Sequence, residues 1–398
     1  MPARTLRNSS FIILGAGIVT FIAWLTSEDP KFNIASFENE PLTLEIADLD
    51  TALTLAQYTA ANGDIVTLLV EAIDGSKVSG VTLTDLGAAQ VSDPFTALAS
   101  INKDQLASVS SSTIKRHVID IAALRPSGPP GKRHIGIGTN FPEHAAEASS
   151  NSVFNFPKFG AATPARTTVP APADGLLDYE VELCMRFDRP IESLKDFEAA
   201  VKGVFLCADF TDRVALLKLA DADNLDSGYG FSDAKSGPGF FPTGPFLVIP
   251  KDWKAFVAGT RMMTYVNGEA RQDARGSEMI LDFRELTEKV LGDMSAPRFY
   301  YDDAFYKLTP NQRIDRDMTL MSGTSEGVIF TPPSRHDYIE IILAYLLKGG
   351  PFSEDSLMDT AIPVFIGNEQ ASGHFLKPDD IVSYRASQLG DIVVEVRP

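Results

Sequence analysis

The stretch LLDYEVELC (176–184) sets two acids two residues apart, and strand alternation puts Glu180 and Glu182 on one face, with Tyr179, Val181 and Leu183 on the other. Paired acids on a strand can also be a solvated face. A third acid, Asp209, follows the apolar run of VFLCADFT, where an ionised carboxylate is costly unless it is paired or coordinated. Three converging carboxylates suit a hard cation. Oxygen donors that leave positions for water favour Mg2+ or Mn2+, and two cysteines with no clustered histidines do not favour zinc. Upstream, TNFPEHAAEASS holds His144 and Glu147 three residues apart on a predicted short helix, where they share a face and can hydrogen-bond. That is an acid–base pair in outline, and also a common surface pairing.

The elements that must carry these residues read as follows. From His134 onward, the turn-bounded apolar runs RHIGIG, VKGVFLCAD, GPFLVIP and MMTYVNG predict strands, and RGSEMILDFRELTEKVLG predicts a helix capped by Ser277. Earlier, ENEPLTLEIADLD alternates like a half-buried strand, and DLDTALTLAQYTAANG predicts a helix ending at Gly63. The Pro-, Gly- and base-rich RPSGPPGKR (125–133) marks a linker. The expected fold class is α+β: a small N-terminal domain with linker over 28–130, then a strand-rich domain over 131–398.

A length of 398 residues suits two or three compact units. Fifty-three acids against 35 Lys and Arg give a net charge of −18, which repels a phosphate backbone and excludes nucleic acid as the expected partner. Cys184 and Cys207 share parity with Glu182 and Asp209 on their strands. They read as small buried residues near the acids, and an exported chain could join them. His117, His134, His336 and His374 lack ligand spacing and are assigned to structure or surface. Phe11 to Leu25 is uncharged, preceded by Arg4 and Arg7 and followed by Glu28 and Asp29. Residues 1–27 therefore read as a cleavable signal peptide or a hydrophobic helix that anchors the chain, with 9–27 as the tether and the rest outside the cytoplasm. A buried helix, with the protein in the cytoplasm, is the alternative.

Taken in order, GIGTNFPEHAAE, FPKF, LDYEVEL, GVFLCADFTDR, KSGPGFFPTGP, VNGEARQ and SGTSEGV resemble the fumarylacetoacetate hydrolase superfamily over about 131–328, with a late FLKPDD as a further echo. The resemblance implies a mixed β-sheet roll or barrel as the catalytic domain over 131–398. It also implies Mg2+ or Mn2+ held by Glu180, Glu182 and Asp209, water activated by His144 and Glu147, substrate contacts from Lys235 and Thr324, and a homodimer. Read from the residues alone, Lys235 is a loop lysine near Asp233 and Thr324 a turn residue. Three positions depart from the family pattern: Ala208 for an Asn, Arg316-Asp317 for Gly-Asp, and Ser325 for a Pro. None removes a ligand. The implied activity is hydrolysis of a carbon–carbon bond in an acylpyruvate-like diketo acid. An oxaloacetate-type decarboxylase or keto-enol isomerase at the same site, and a non-catalytic protein that binds metal or oxo acids, are the alternatives.

Overall fold

The structure is a computed structural model that describes residues 35–398, apart from 111–112, 149, 151, 222–223 and 353–355. The predicted signal or anchor helix within 1–27 lies outside the described residues. Among the described residues, no helix is long and apolar enough to cross a membrane.

The central framework is a ten-stranded sheet in the order β4-β3-β2-β1-β12-β10-β9-β17-β5-β6. Its strands are β1 (Ala52–Thr59), β2 (Ile65–Asp74), β3 (Lys77–Thr82), β4 (His117–Asp120), β5 (Arg133–Gly138), β6 (Phe154–Phe159), β9 (Val181–Phe187), β10 (Lys202–Ala208), β12 (Leu247–Pro250) and β17 (Leu320–Met321). β9 and β10 are buried along their whole length, as their near-continuous apolar sequences require of strands covered on both faces. They pair antiparallel, with Glu182 opposite Cys207 and Cys184 opposite Phe205. Cys184 and Cys207 form a disulfide. It lies in a core cluster with Leu55, Leu69, Val81, Phe95, Phe205 and Leu247. Strands on both sides of the 125–133 linker thus share one sheet, joined where β1 runs antiparallel to β12.

A second sheet runs β14-β13-β18-β19-β7, from β7 (Arg166–Pro170), β13 (Arg261–Val266), β14 (Glu269–Arg275), β18 (Ile381–Ala386) and β19 (Gly390–Arg397). β19 alternates buried and half-buried residues and pairs in parallel with β7, Val393 opposite Arg166. Two small ladders complete the strands: β8 (Leu177–Asp178) with β11 (Thr211–Asp212), and β15 (Phe299–Tyr301) with β16 (Ala304–Tyr306). The described residues of 35–330 and 375–398 form one compact unit. Residues 331–374 belong to another, which holds the helices Arg335–Leu347 and Leu357–Ser372. Each opens with a serine capping box, on Ser334 and Ser356, and Asn368 hydrogen-bonds to Asp337 and Glu340 between them.

Three local expectations are corrected. Residues 52–59 are strand β1, not helix, because pairing with β2 on one side and β12 on the other outweighs the weak helical periodicity. Residues 41–46 alternate in burial but join no strand ladder, although Glu45 N–H reaches the Ser387 carbonyl. Ser277 sits in a short 3-10 turn, Gly276–Glu278, and the helix starts later, at Phe283–Gly292. The intervening backbone bends at Ile280 and Leu281, where both bond to Asn140, so Asp282 becomes the cap and forms a capping box with Glu285.

The disulfide closes a loop between residues 23 positions apart, which on the chain-entropy account stabilises the fold by about 3 kcal/mol. Guanidinium unfolding with and without reductant measures this. The natural chain should unfold at lower denaturant when reduced, whereas the Cys184→Ala/Cys207→Ala variant should already be low and should not respond.

Candidate functional site

One ligand oxygen from each of Glu180, Glu182 and Asp209 lies within 4.8 Å of the other two, and all three residues are buried. The sequence folds this way because β9 and β10 deliver the acids at the end of their shared ladder. Beyond the last register pair, Val181 with Ala208, Asp209 N–H still donates to the Glu180 carbonyl at 3.0 Å.

The turn 322–327 braces the same end of β9. Ser322 Oγ accepts from Leu183 N–H at 3.0 Å, and Thr324 Oγ1 donates to the Val181 carbonyl at 2.9 Å while accepting from Gln272 Nε2 at 2.9 Å. Gly323 N–H donates to Glu182 Oε2 at 2.8 Å. Gly323 has φ 78° and Gly327 φ 98°, and a Cβ at Gly327 would collide with the Arg271 carbonyl, so both positions require glycine.

Three buried cations answer the acids. Lys235 Nζ lies 2.6 Å from Glu180 Oε2, 3.0 Å from Asp209 Oδ2 and 2.8 Å from Thr211 Oγ1. It is therefore part of the acidic centre and not a solvated loop lysine. Lys158, fully buried on β6, donates to Asp209 Oδ1 at 2.6 Å and to the Lys235 carbonyl. Arg213 reaches Glu180 Oε1 at 3.0 Å through Nη2 and Asp178 Oδ2 at 2.9 Å through Nε. Asp178 in turn accepts backbone N–H groups from Tyr179, Ile329 and Phe330.

These environments separate the two glutamates. Burial pushes the Glu180 carboxyl up, but Lys235, Arg213 and His144 outweigh it and hold it at about 2. Burial, with Asp209 and Glu180 as like charges, pushes Glu182 well above the ordinary carboxylate range. Burial lowers Lys158 against the pull of Asp209, while the acids win at Lys235 and hold it above its ordinary value. Glu182 Oε1 is buried without a hydrogen-bond partner. An orphaned carboxyl oxygen within reach of two more carboxylates fits a hard divalent cation, which takes such donors at about 2.0–2.1 Å for Mg2+.

His144 and Glu147 come together on the helix Pro142–Glu147, with Nδ1 2.9 Å from Glu147 Oε2. Glu147 Oε1 accepts from Gly327 N–H at 3.1 Å, tying the pair to the turn that braces β9. Glu326, beside that turn, is also buried and its carboxyl is raised by burial and then by Glu143 and Glu147, while its Oε1 takes the Ser36 N–H. Reasoning from sequence missed Lys158, Asp178, Arg213 and Glu326. The first three stand inside FPKF, LDYEVEL and DFTDR, and a charged residue in an apolar run was the available signal.

Residues 133–397 match the family model described as the fumarylacetoacetate (FAA) hydrolase C-terminal domain. An uncharacterized protein of Staphylococcus epidermidis is 33% identical over 178 residues, covering 43% of this chain and 56% of that protein. The chain thus spans about half the length of the curated relatives it matches. Among solved structures, 2-hydroxyhepta-2,4-diene-1,7-dioate isomerase from Mycobacterium marinum superposes with a TM-score of 0.51 at 17% identity, over 87% of this chain and 98% of that one. Fumarylacetoacetate hydrolase from Exiguobacterium antarcticum does so with a TM-score of 0.51 at 16% identity, over 87% and 99%. These likenesses show a shared fold.

A divalent cation held by this trio would bind the ionised form of Glu182, whose folded carboxyl is raised. Below that raised value, binding must expel a proton, and affinity must climb with pH until the group is ionised. Titration calorimetry with Mn2+ in buffers of different ionisation enthalpy should show proton release that shrinks as pH rises. Release that stays at zero from mildly acidic to neutral pH contradicts this assignment.

Proposed function

Starting from the fact that this chain belongs to the fumarylacetoacetate hydrolase family, we propose that it is a divalent-metal-dependent hydrolase that cleaves a carbon–carbon bond in an acylpyruvate-like diketo acid. The observation that carries this reading is the buried convergence of Glu180, Glu182 and Asp209, with the hydrogen-bonded His144–Glu147 pair tied through Gly327 to the turn that braces β9. Mg2+ or Mn2+ held by these three carboxylates would supply Lewis acidity toward a pair of substrate oxygens and stabilise negative charge on an enolate.

The chain's own groups then divide the work. Glu147 accepts from Nδ1–H of His144, which leaves Nε2 as the base that takes a proton from water. The hydroxide so formed adds to the distal carbonyl carbon. Collapse of the tetrahedral adduct breaks the carbon–carbon bond, releases a carboxylic acid and leaves the electron pair on the enolate of the oxo-acid fragment. That carbon recovers the proton from His144. Lys235 holds its ammonium against Glu180 and Asp209, where it neutralises charge beside the oxyanion. In this reading Thr324 acts chiefly by fixing Val181 between the two glutamates, its hydroxyl proton being engaged by that carbonyl.

The proposal extends to a homodimer and to a location outside the cytoplasm, tethered or secreted through residues 9–27. The uncharged run 11–25 and the Cys184–Cys207 disulfide support an oxidising compartment.

Glu180→Gln should lose Mn2+ binding and turnover of an acylpyruvate together while keeping its unfolding profile. His144→Ala should keep the metal and lose hydrolysis by about 100-fold or more. Product analysis by NMR reads the reaction: two acids support hydrolysis, whereas released CO2 or a tautomer alone assigns the site to a decarboxylase or isomerase. Full activity in Glu180→Gln rejects the metal centre.

A further inference from the structure

Arg186 lies on β9, four residues beyond Glu182 and on the same face, hence about 13 Å further along the strand. It is buried, at 4% exposure. A guanidinium has five N–H donors, yet here one hydrogen bond is made, from Nη1 to the Ser127 carbonyl at 3.1 Å. Nε is buried with no partner. Among the described residues, Nη2 faces Asp93 Oδ2 at 3.8 Å, an ion pair beyond hydrogen-bond range, and the guanidinium carbon lies 5.4 Å from the centre of the Phe95 ring. Asp93 is shared: its Oδ1 caps the helix Pro94–Ala99 through Thr96 and accepts from Arg316 Nη2 at 2.8 Å. Burial, with Arg316 as a like charge, pulls the Arg186 guanidinium down to about 10 in spite of Asp93. Arg186 is therefore compensated only at a distance, by a shared Asp93 and the Phe95 ring, whereas the three cations of the acidic centre each touch a carboxylate oxygen.

The same guanidinium walls a cavity of about 260 Å³. Its other walls come from β1 and the start of β2, from Ser92–Pro94, and from the linker residues Arg125, Pro126, Gly128, Pro129 and Pro130. Arg125 is exposed and makes no ion pair with any described residue, and its side chain reaches only Thr59 Oγ1 at 3.3 Å. The Pro- and Gly-rich segment that reads in sequence as a plain linker thus forms one wall of a concave, cationic site on a chain of net charge −18. Rigid proline backbone fixes that wall at little entropic cost.

We propose that this cavity is a binding site for a small oxyanion, a carboxylate or phosphate group clasped by Arg186 in the depth and Arg125 at the mouth. The geometry suits it. An oxyanion presents acceptors to Nε and Nη2 together, the bidentate arrangement that an arginine fork favours. Its charge adds a hydrogen-bonded partner to a buried cation whose nearest carboxylate, Asp93, stands 3.8 Å away. An occupant would also tie β1 and β2 to the strand that carries Glu182, so the site is placed to report on the acidic centre without belonging to it. The proposal does not depend on the reaction assigned above.

The test uses the full chain in EDTA at constant ionic strength, titrated with inorganic phosphate and, separately, with malonate, and followed by calorimetry and thermal unfolding. At least one anion should bind saturably with Kd below about 1 mM and raise the unfolding midpoint. The stronger of the two identifies the group recognised. Arg186→Gln and Arg125→Glu should each weaken that binding by about tenfold or more. Should Arg186→Gln fail to fold, Arg125→Glu decides alone, because that side chain is exposed. Absence of saturable binding for both anions, or unchanged affinity in Arg125→Glu, overturns the proposal.

Discussion

Burying charge in quantity constrains everything around the acidic centre. Asp178, Glu180, Glu182 and Asp209 share a water-excluded volume with Lys158, Lys235 and Arg213. An isolated ion there would cost several kcal/mol, and removing one partner of such a network leaves another charge stranded. The network tolerates this because its members are interlocked: Lys235 bridges Glu180 and Asp209, Lys158 takes the other oxygen of Asp209, and Arg213 joins Glu180 to Asp178. Four acids against three cations leave one carboxyl without a cation, and it is Glu182, which burial, Asp209 and Glu180 push toward its neutral form and whose one close donor among the described residues is Gly323 N–H. A fully compensated cluster would have nothing to offer a cation.

The surrounding fold keeps these oxygens from spreading apart. β9 and β10 are buried on both faces, so a register slip would turn Glu182 away from Asp209 and strand its carboxyl among apolar side chains. The disulfide fixes the two strands one step from Glu182. The turn 322–327 then holds the end of β9 through Ser322, Gly323 and Thr324, and reaches Glu147 through Gly327. The three carboxylates and the His144–Glu147 pair are consequently parts of one braced assembly, although they lie far apart in the sequence.

Much of this centre was legible in the amino acids. Acids in alternation on a buried strand, and an acid at the end of an apolar run, are physically expensive, and the expense pointed to Glu180, Glu182 and Asp209. His144 and Glu147 were legible through helical spacing, and the structure pairs them. Lys158 and Arg213 were not, because a lone cation in a strand or after a turn carries no periodicity that reveals its distant partner. Residues 52–59 were misread for a related reason: Ala52, Leu55 and Ala56 satisfy a helical count, and only pairing with β2 and β12 settles the matter. Ser277 looked like a cap because local sequence does not show that Asn140 would take the backbone groups of Ile280 and Leu281. The helices within 331–374 lie beyond the motifs that carry the resemblance, and the chain returns to the main unit at Phe375.

The parallel pairing of β7 with β19 joins Arg166–Pro170 to Val393–Arg397, across more than half of the polypeptide. During synthesis β7 emerges long before its neighbour exists. Until then it presents an unsatisfied strand edge, the kind of surface that recruits other extended chains. Closure of this sheet is accordingly a late event, with a loop-closure barrier typical of folds rich in long-range contacts. A ribosome that stalls downstream of β18 would release a polypeptide whose acidic centre has every residue it needs, yet whose flanking sheet is still open.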